Sequence, residues 1–292
     1  MSRFFLILVL AISSFISCQV QNEIKTVKNE RIVSLSPNIT EIIFALNQQH
    51  KLIAVSEYCT YPAEANQIER IGGLLDPNME RLLSLNADLF IGTPAHQELA
   101  HKLRTANKHT VLLPNDQLAD VFSSIDSIGS LLGCNAEAQQ LMASIQDSLA
   151  HYKTLASELK SSSRALLVIG RDPGGTHKIT ASGTETFLSE VWQLLGAQNT
   201  FSNLPARYAQ ISREALLINN PELIIEFKFK QDWNEKKDFE NKKSWADLIT
   251  LSAVKRDRIF VLTGDYTLIP GPRIYLLARD YYNILVRNQA IQ

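Results

Sequence analysis

The chain has 292 residues, of which 45% are hydrophobic, and its formal net charge is −1. This length and apolar content are enough for two compact cores of ordinary size. The charge argues against a nucleic-acid-binding protein, which needs a basic stripe to neutralise phosphates. The longest basic region, residues 228–243, is interleaved with acidic residues, so we interpret it as a solvated loop or helix face.

The N-terminus predicts export and lipidation. Arg3 precedes an apolar run, residues 4–16, which would span only about 20 Å as a helix, whereas a membrane needs about 30 Å. We therefore interpret residues 1–18 as a signal peptide. Phe-Ile-Ser-Cys at 15–18 resembles a bacterial lipobox, which predicts lipidation of Cys18; the alternative is a plain secretory signal with an incidental cysteine. The polar residues 19–30 are predicted to be a flexible tether.

Short apolar runs alternate with helical patterns from Arg31 onward. Strands are predicted at 32–35, 52–56, 88–92 and 110–113. Helices are predicted at 38–46, 79–85 and 98–106. This alternation is typical of a parallel sheet flanked by helices. We assign residues 31–134 to an N-terminal α/β lobe.

A longer helical pattern then runs over residues 135–160, with apolar residues at steps of three and four. Gly133 ends the preceding helix and Asn135 can cap the new one. A helix of about 26 residues is about 39 Å long, enough to connect two lobes.

The alternation restarts after this helix. Strands are predicted at 165–169, 223–226 and 259–262, and helices at 185–195, 213–219 and 275–286. Residues 161–292 are therefore assigned to a C-terminal α/β lobe. The predicted fold is two Rossmann-like α/β lobes joined by a single long α-helix.

An internal repeat links the lobes. Residues 78–91 and 212–225 share a glutamate, a Leu-Leu pair, an asparagine, an acidic residue, a leucine and an isoleucine at the same spacing. Each unit is predicted to be a capped helix, a turn and a buried strand, with Glu80 or Glu214 in the first helical turn. The helix dipole alone favours a carboxylate there. If a pseudo-twofold axis relates the lobes, however, both glutamates lie on one rim and can meet paired cations on a two-subunit partner.

Arg171 lies in a glycine-containing loop, residues 170–176, that follows a predicted strand. Ligand loops of α/β lobes begin at such places. Arg171 can bind a carboxylate, phosphate or catecholate oxygen in a bidentate manner. The alternative is a surface turn in which it pairs with Asp172. Arg207 is a second, weaker candidate.

The sequence contains no motif that indicates another class of protein. The strand-to-helix turns lack the G-x-G-x-x-G, Walker A and G-x-S-x-G patterns, and no H-E-x-x-H metal motif is present. A nucleotide-dependent α/β enzyme is kept as an alternative, as are a receptor for bare metal ions and a structural lipoprotein. No resident cofactor or metal is predicted. An exported compartment permits a disulfide between Cys59 and Cys134, but the sequence does not decide whether it forms.

Several blocks together resemble one protein family. They are residues 31–41, 56–62, 71–89, 210–214 and 245–260. In this order and spacing they are similar to the iron-chelate and vitamin B12 class of periplasmic binding proteins, whose lobes are joined by a helical backbone. The resemblance covers nearly all of the mature chain. It implies a ligand cleft between the lobes and a modest closing motion.

The resemblance also implies roles for individual residues. Glu80 and Glu214 match the glutamates that dock onto arginines of an ABC permease dimer, which works with its ATPase subunits. Tyr58, Tyr208 and Asp265 match ligand contacts of the cobalamin branch. Tyr266 would extend the aromatic walls, and Arg171 completes the predicted ligand-binding set.

The resemblance also has departures. Leu74, Thr93 and Gly175 stand where the cobalamin branch has aromatic residues, and Ile269 replaces an arginine. The cleft is therefore expected to be roomier or shaped for another ligand. The predicted function is a lipid-anchored, periplasmic or cell-surface binding protein that captures cobalamin for an ABC importer. A ferric siderophore or haem is the alternative ligand.

Overall fold

The computed structural model describes residues 30–73, 76–159, 163–172, 175–228 and 233–290. The predicted signal peptide, Cys18 and the tether up to residue 29 lie outside these residues. Within the described ranges, no helix combines the length and the apolar character needed to cross a membrane.

The N-terminal lobe is built on a five-stranded parallel sheet in the order β3-β2-β1-β4-β5. Its strands are β1 (Ile32–Ser34), β2 (Leu52–Val55), β3 (Glu69–Arg70), β4 (Leu89–Gly92) and β5 (Thr110–Leu112). Its flanking helices are α1 (Pro37–Ala45), α2 (Met79–Ser84) and α3 (Gln97–Thr105). Every residue of β1 and β4 is buried, as expected for central strands covered by helices on both faces.

Helix α4 (Leu118–Leu132) ends the N-terminal lobe, and α5 (Asn135–Ser157) connects it to the second lobe. Gly133 ends α4 with φ of 71°, a left-handed conformation that favours glycine. The two helices pack closely at Gly129, where an added Cβ would lie 2.5 Å from the Cβ of Ala138. The predicted long helix is present and ends three residues earlier than the apolar pattern indicated.

The C-terminal lobe contains a six-stranded mixed sheet. Its strands are β6 (Arg164–Gly170), β7 (Ile179–Ser182), β8 (Gln198–Asn199), β9 (Tyr208–Ile211), β10 (Leu223–Phe227) and β11 (Ile259–Leu262). Its helices are α6 (Phe187–Leu194), α7 (Arg213–Asn219), α8 (Glu235–Lys243), α9 (Ser252–Lys255) and α10 (Ile274–Ala290). The strand order is β11-β10-β6-β7-β9, and β8 also pairs with β6.

This second sheet is not purely parallel. β7 runs antiparallel to both β6 and β9. The connection from β6 to β7 is too short for a crossover helix, so β7 has to return antiparallel. The sequence patterns did not identify β7, β8 or β9.

In the region predicted to be solvated, residues 228–243, helix α8 has no buried residue.

One apolar cluster extends through both lobes. It contains Ile32 and Ile43 from the first lobe together with Trp192 and Tyr281 from the second. The Trp192 and Tyr281 rings meet edge to face, with centroids 5.0 Å apart. Helix α10 packs against both α5 and α6. The lobes are therefore joined by a shared core as well as by α5, and the predicted two-lobed α/β fold is confirmed.

Candidate ligand cleft and docking rim

A largely buried ion-pair cluster joins the lobes where strands β1 and β11 end. Arg273, just before α10, donates from Nη2 to Oε1 of Glu41 over 2.6 Å and from Nε to Oε2 over 2.8 Å. Its Nη1 also donates to Oδ1 of Asp265 over 3.0 Å. We call Glu41, Arg273 and Asp265 the inter-lobe clasp. Because Glu41 is in α1, the clasp links the carboxyl edges of the two sheets, the usual place for ligands in α/β lobes.

The charges of the clasp are strongly coupled. Burial raises the pKa of Glu41, and the nearby Arg273 only partly offsets this. Burial opposes the charge of Arg273, but Glu41 and Asp265 outweigh it and raise the pKa of the guanidinium. Arg273 therefore stays cationic and holds its two carboxylates in place. The Asp265 side chain is 45% exposed, so part of it remains available to a ligand.

Two tyrosines, one from each lobe, flank this cation. The Cζ atom of Arg273 lies 3.7 Å from the ring centroid of Tyr61 and 5.6 Å from that of Tyr266. The Tyr266 hydroxyl donates to Asp280. Burial raises the pKa of Tyr266 to about 12, and Asp280 adds to the shift. Tyr266 is therefore a neutral phenol with a fixed hydroxyl.

Tyr58 belongs to a loop whose neighbouring residues are held in place by hydrogen bonds. The adjacent Cys59 is buried, and its sulfur lies 3.1 Å from both the Thr40 and the Ser56 hydroxyl oxygens. Arg70 donates from Nη1 to the carbonyl oxygens of Ser56 and Cys59, each over 2.8 Å. Tyr58 itself is 62% exposed. A fixed loop base with an exposed aromatic ring suits a ligand contact.

Tyr208 and Arg207 lie at a second inter-lobe contact, around Asp116. Arg207 pairs with Asp116 over 3.4 Å, and the backbone N–H of Phe187 donates to the Asp116 carbonyl over 2.7 Å. Tyr208 is half-buried and packs against the shared core. Burial raises its pKa to about 12, with a further contribution from Asp116. The structure thus brings Asp265 and Tyr266 together at the clasp, and it puts Tyr208 at a different contact.

Arg171 is used inside the C-terminal lobe. Its Nε donates to Glu226 over 3.0 Å, and only 2% of its side chain is exposed. Nη2 also donates to the side chains of Asn241 and Ser244. Arg171 does not form the alternative surface pair with Asp172. The Asp172 carboxylate oxygen Oδ2 lies 4.0 Å from Nζ of Lys178 instead. The geometry therefore gives Arg171 a structural role inside this lobe, and its ligand contact stays a prediction.

Glu226 explains why Arg171 is held there. Burial by itself raises the pKa of this carboxyl, but Arg171, Lys228 and Trp245 outweigh burial and lower the pKa. Trp245 donates from Nε1 to Oε1 of Glu226 over 2.6 Å. A glutamate at the end of an apolar strand needs such partners, so the sequence indicates that Glu226 has a buried partner but does not identify it as Arg171.

The two repeat units have the same local structure. Asn78 and Ser212 cap α2 and α7 by accepting from the backbone N–H three residues later, over 2.9 Å and 3.1 Å. At the other end of each helix an arginine donates to the last carbonyls. Arg31 binds the Leu85 and Asn86 oxygens, and Arg164 binds those of Asn219 and Asn220.

Each unit places its glutamate at the carboxyl edge of its sheet. The Asn78 backbone N–H donates to the Ile71 carbonyl, just past the end of β3. Helix α7 starts directly after β9, which runs in the same direction as β6. Glu80 and Glu214 are exposed, and within the described residues neither has an ion-pair partner. Because of the role that the sequence predicts for them, we call these two glutamates the docking rim.

The glutamate of the second lobe is held in its charged form. Hydrogen bonds from its own backbone N–H and from Ser212 lower the pKa of Glu214. The arginine beside each glutamate is engaged elsewhere, since Arg81 pairs with Glu69 and Arg213 donates to the Asp247 carbonyl.

Two further possibilities concern a disulfide and a metal site. Cys59 and Cys134 are both buried and both free, so they form no disulfide in this structure. Among the residues that the structure describes, no group of three or more His, Cys, Asp or Glu side chains is arranged to hold a metal ion.

Sequence reasoning missed Glu41, Tyr61 and Arg273. Glu41 carried a usable signal, because it lies among apolar residues on a helix and a buried carboxylate needs a partner. That partner is 232 residues away.

This arrangement, two α/β lobes with polar and aromatic groups where their strand ends meet, defines a solute-binding protein. The family model described as "Periplasmic binding protein" matches residues 32–266. The chain belongs to the periplasmic binding protein family. Members are solute-binding proteins that work outside the cytoplasm with ABC transporter permeases, so the enzyme alternative is set aside.

Individual relatives cover most of the chain. A vitamin B12-binding protein of Vibrio cholerae is 31% identical over 84% of this chain and 84% of its own length. An uncharacterized ABC transporter substrate-binding lipoprotein of Bacillus subtilis is 29% identical over 87% of this chain and 79% of its own. The crystal structure of the periplasmic vitamin B12 binding protein of Vibrio cholerae matches with a TM-score of 0.75 at 27% identity, covering 90% of this chain and 98% of that one.

Proposed function

We propose that the protein is the substrate-binding lipoprotein of an ABC importer and that it captures cobalamin or a related corrinoid. The similarity to vitamin B12-binding proteins over most of both chains supports this most strongly. Cys18 would carry the lipid that keeps the protein at a membrane. The docking rim would then deliver the loaded protein to the permease dimer and its ATPase subunits.

The chemistry of the cleft fits such a ligand. A corrinoid is large and has flat faces and a polar edge of amides, so it needs aromatic walls and a few polar anchors. Tyr58, Tyr61 and Tyr266 would supply the walls. The partly exposed Asp265 would accept hydrogen bonds from the amides, because its ion pair with Arg273 holds it in place.

Haem or a ferric siderophore is the second candidate ligand. Tyr58 and Tyr61 are 62% and 43% exposed, and a phenol oxygen is a suitable ligand for ferric haem iron.

Titration of the full chain in detergent separates these ligands. We expect cyanocobalamin to bind with one-to-one stoichiometry and measurable heat, and to quench tyrosine fluorescence. Hemin and ferric siderophores, titrated under the same conditions, should bind at least tenfold more weakly. Tight binding of one of these alone would contradict the cobalamin assignment, and binding of none of the three would contradict the chelate-carrier function.

A further inference from the structure

We infer that the docking surface is a matched pair of charged and apolar contacts: Leu83 beside Glu80, and Leu217 beside Glu214. The partner is a permease dimer that offers, in each half, an apolar pocket next to a cation. This inference rests on the proposed function, because it assumes that the docking rim meets the permease.

Exposure of the same leucine in both repeat units is the first argument. Leu83 is 37% exposed and Leu217 is 41% exposed, and the two occupy equivalent positions of the repeat. The leucines before them, Leu82 and Leu216, are fully buried and anchor each helix to its lobe. Packing inside the lobes thus accounts for the first leucine of each pair. It does not account for the second leucine, which is partly exposed to solvent in both lobes.

Position relative to the glutamates is the second argument. Each exposed leucine follows its glutamate by three residues in a helix, and residues at this spacing are neighbours on the helix surface. An apolar side chain beside a charge excludes water when a partner covers both, and ion pairs are stronger where water is excluded. Each leucine is therefore in a position to exclude water from an ion pair made by the glutamate beside it.

Duplication is the third argument, and it identifies the kind of partner. Two equivalent patches, one in each lobe, fit a partner with two equivalent halves. A lipid surface would not select a duplicated carboxylate, because anionic headgroups repel it. The patches differ in apolar surface: Ile218, which is 83% exposed, stands in the second unit where Ser84 stands in the first. The half that receives α7 should therefore have the larger apolar contact.

The test measures affinity of the full-length chain for its permease–ATPase complex in vesicles. We expect Leu83→Ser with Leu217→Ser to weaken binding about tenfold or more. The salt dependence should persist, because the glutamates remain. Leu83→Met with Leu217→Met should restore most of the affinity. Phe239→Ser is the matched control, since Phe239 is 69% exposed and lies in α8 outside the repeat; it should bind like the unmodified chain.

A parallel pair of variants separates this inference from the proposed function. Glu80→Gln with Glu214→Gln should weaken binding and remove most of its salt dependence. If the glutamate variant loses affinity and the serine variant binds within twofold of the unmodified chain, the leucine inference is wrong and the docking rim stands. If neither pair changes the affinity, or if the unmodified chain does not bind the complex, both are wrong.

Discussion

At the scale of single residues, Arg171 and Glu226 form a pair that stabilises the C-terminal lobe. Both side chains are almost completely buried, and Trp245, Asn241 and Ser244 complete their hydrogen bonds. Removal of one partner from a buried ion pair leaves an uncompensated charge, which typically costs about 3–5 kcal/mol.

Glu226→Gln should therefore lower the free energy of unfolding by about 3 kcal/mol or more, measured by urea denaturation at neutral pH. Glu240→Gln is the control; it removes an exposed pair with Lys236 and should change stability by less than about 0.5 kcal/mol. Equal stability of the two variants would contradict the structural role of Arg171.

The same variant has a pH signature. The pKa of Glu226 is lowered in the folded protein, so its stabilising effect is complete above the ordinary value of 4.5 and is lost as pH falls through the lower folded value. In denaturation curves, the stability difference between the unmodified chain and Glu226→Gln should therefore shrink as the solution is acidified below that value.

Tyr58 is the residue whose ligand role can be tested without disturbing the fold. Because it is 62% exposed, Tyr58→Ala should leave the unfolding midpoint nearly unchanged. Loss of an aromatic wall should weaken cobalamin binding about tenfold, as measured by calorimetry. Phe239→Ala is a suitable control, since it removes an exposed ring from α8. Unchanged affinity of the Tyr58 variant would remove that residue from the site.

Residue-level prediction does not identify contacts whose partner is distant in sequence. The loop around Arg171 has the glycines and the strand end typical of a ligand site, but Glu226 lies 55 residues further on and binds it internally. The clasp is formed over 232 residues, so Arg273 had no local signal at all. Tyr58 was predicted from the family resemblance and the paired glutamates from a repeat within short segments, and all three side chains are exposed, as the predicted contacts require.

At the scale of elements, the repeat units are held by equivalent caps. Asn78→Ala and Ser212→Ala should each lower the free energy of unfolding by about 1 kcal/mol. The caps are in different lobes and share no partner, so the double variant should show the sum of both effects. Urea denaturation of the two single variants and the double variant checks this. A cost confined to one cap would show that the units are not equivalent.

Most elements followed from apolar periodicity. The helix at Arg213–Asn219 has the predicted bounds, and β1, β4 and β10 are buried strands as their short apolar runs indicated. β7 and β9 were missed because they are short and polar on one face, and their pairing depends on the tertiary fold. The sequence therefore did not predict that the second sheet contains an antiparallel strand, β7.

At the scale of the whole molecule, the surfaces proposed for capture and for delivery are different. The clasp and its tyrosines lie where the two sheets meet, whereas Glu80 and Glu214 are exposed on helices α2 and α7. The shared core and α5 connect the lobes, so the lobes are expected to move little relative to each other. This separation predicts that delivery can be lost while capture is retained.

The most direct measurement is uptake of labelled cobalamin into vesicles that contain the permease–ATPase complex, driven by the full-length binding protein. We predict that the unmodified chain supports uptake and that Glu80→Ala with Glu214→Ala abolishes it, with cobalamin affinity unchanged in a parallel titration. Normal uptake with the double variant would contradict delivery through the paired glutamates, and absence of uptake with the unmodified chain would contradict the proposed function itself.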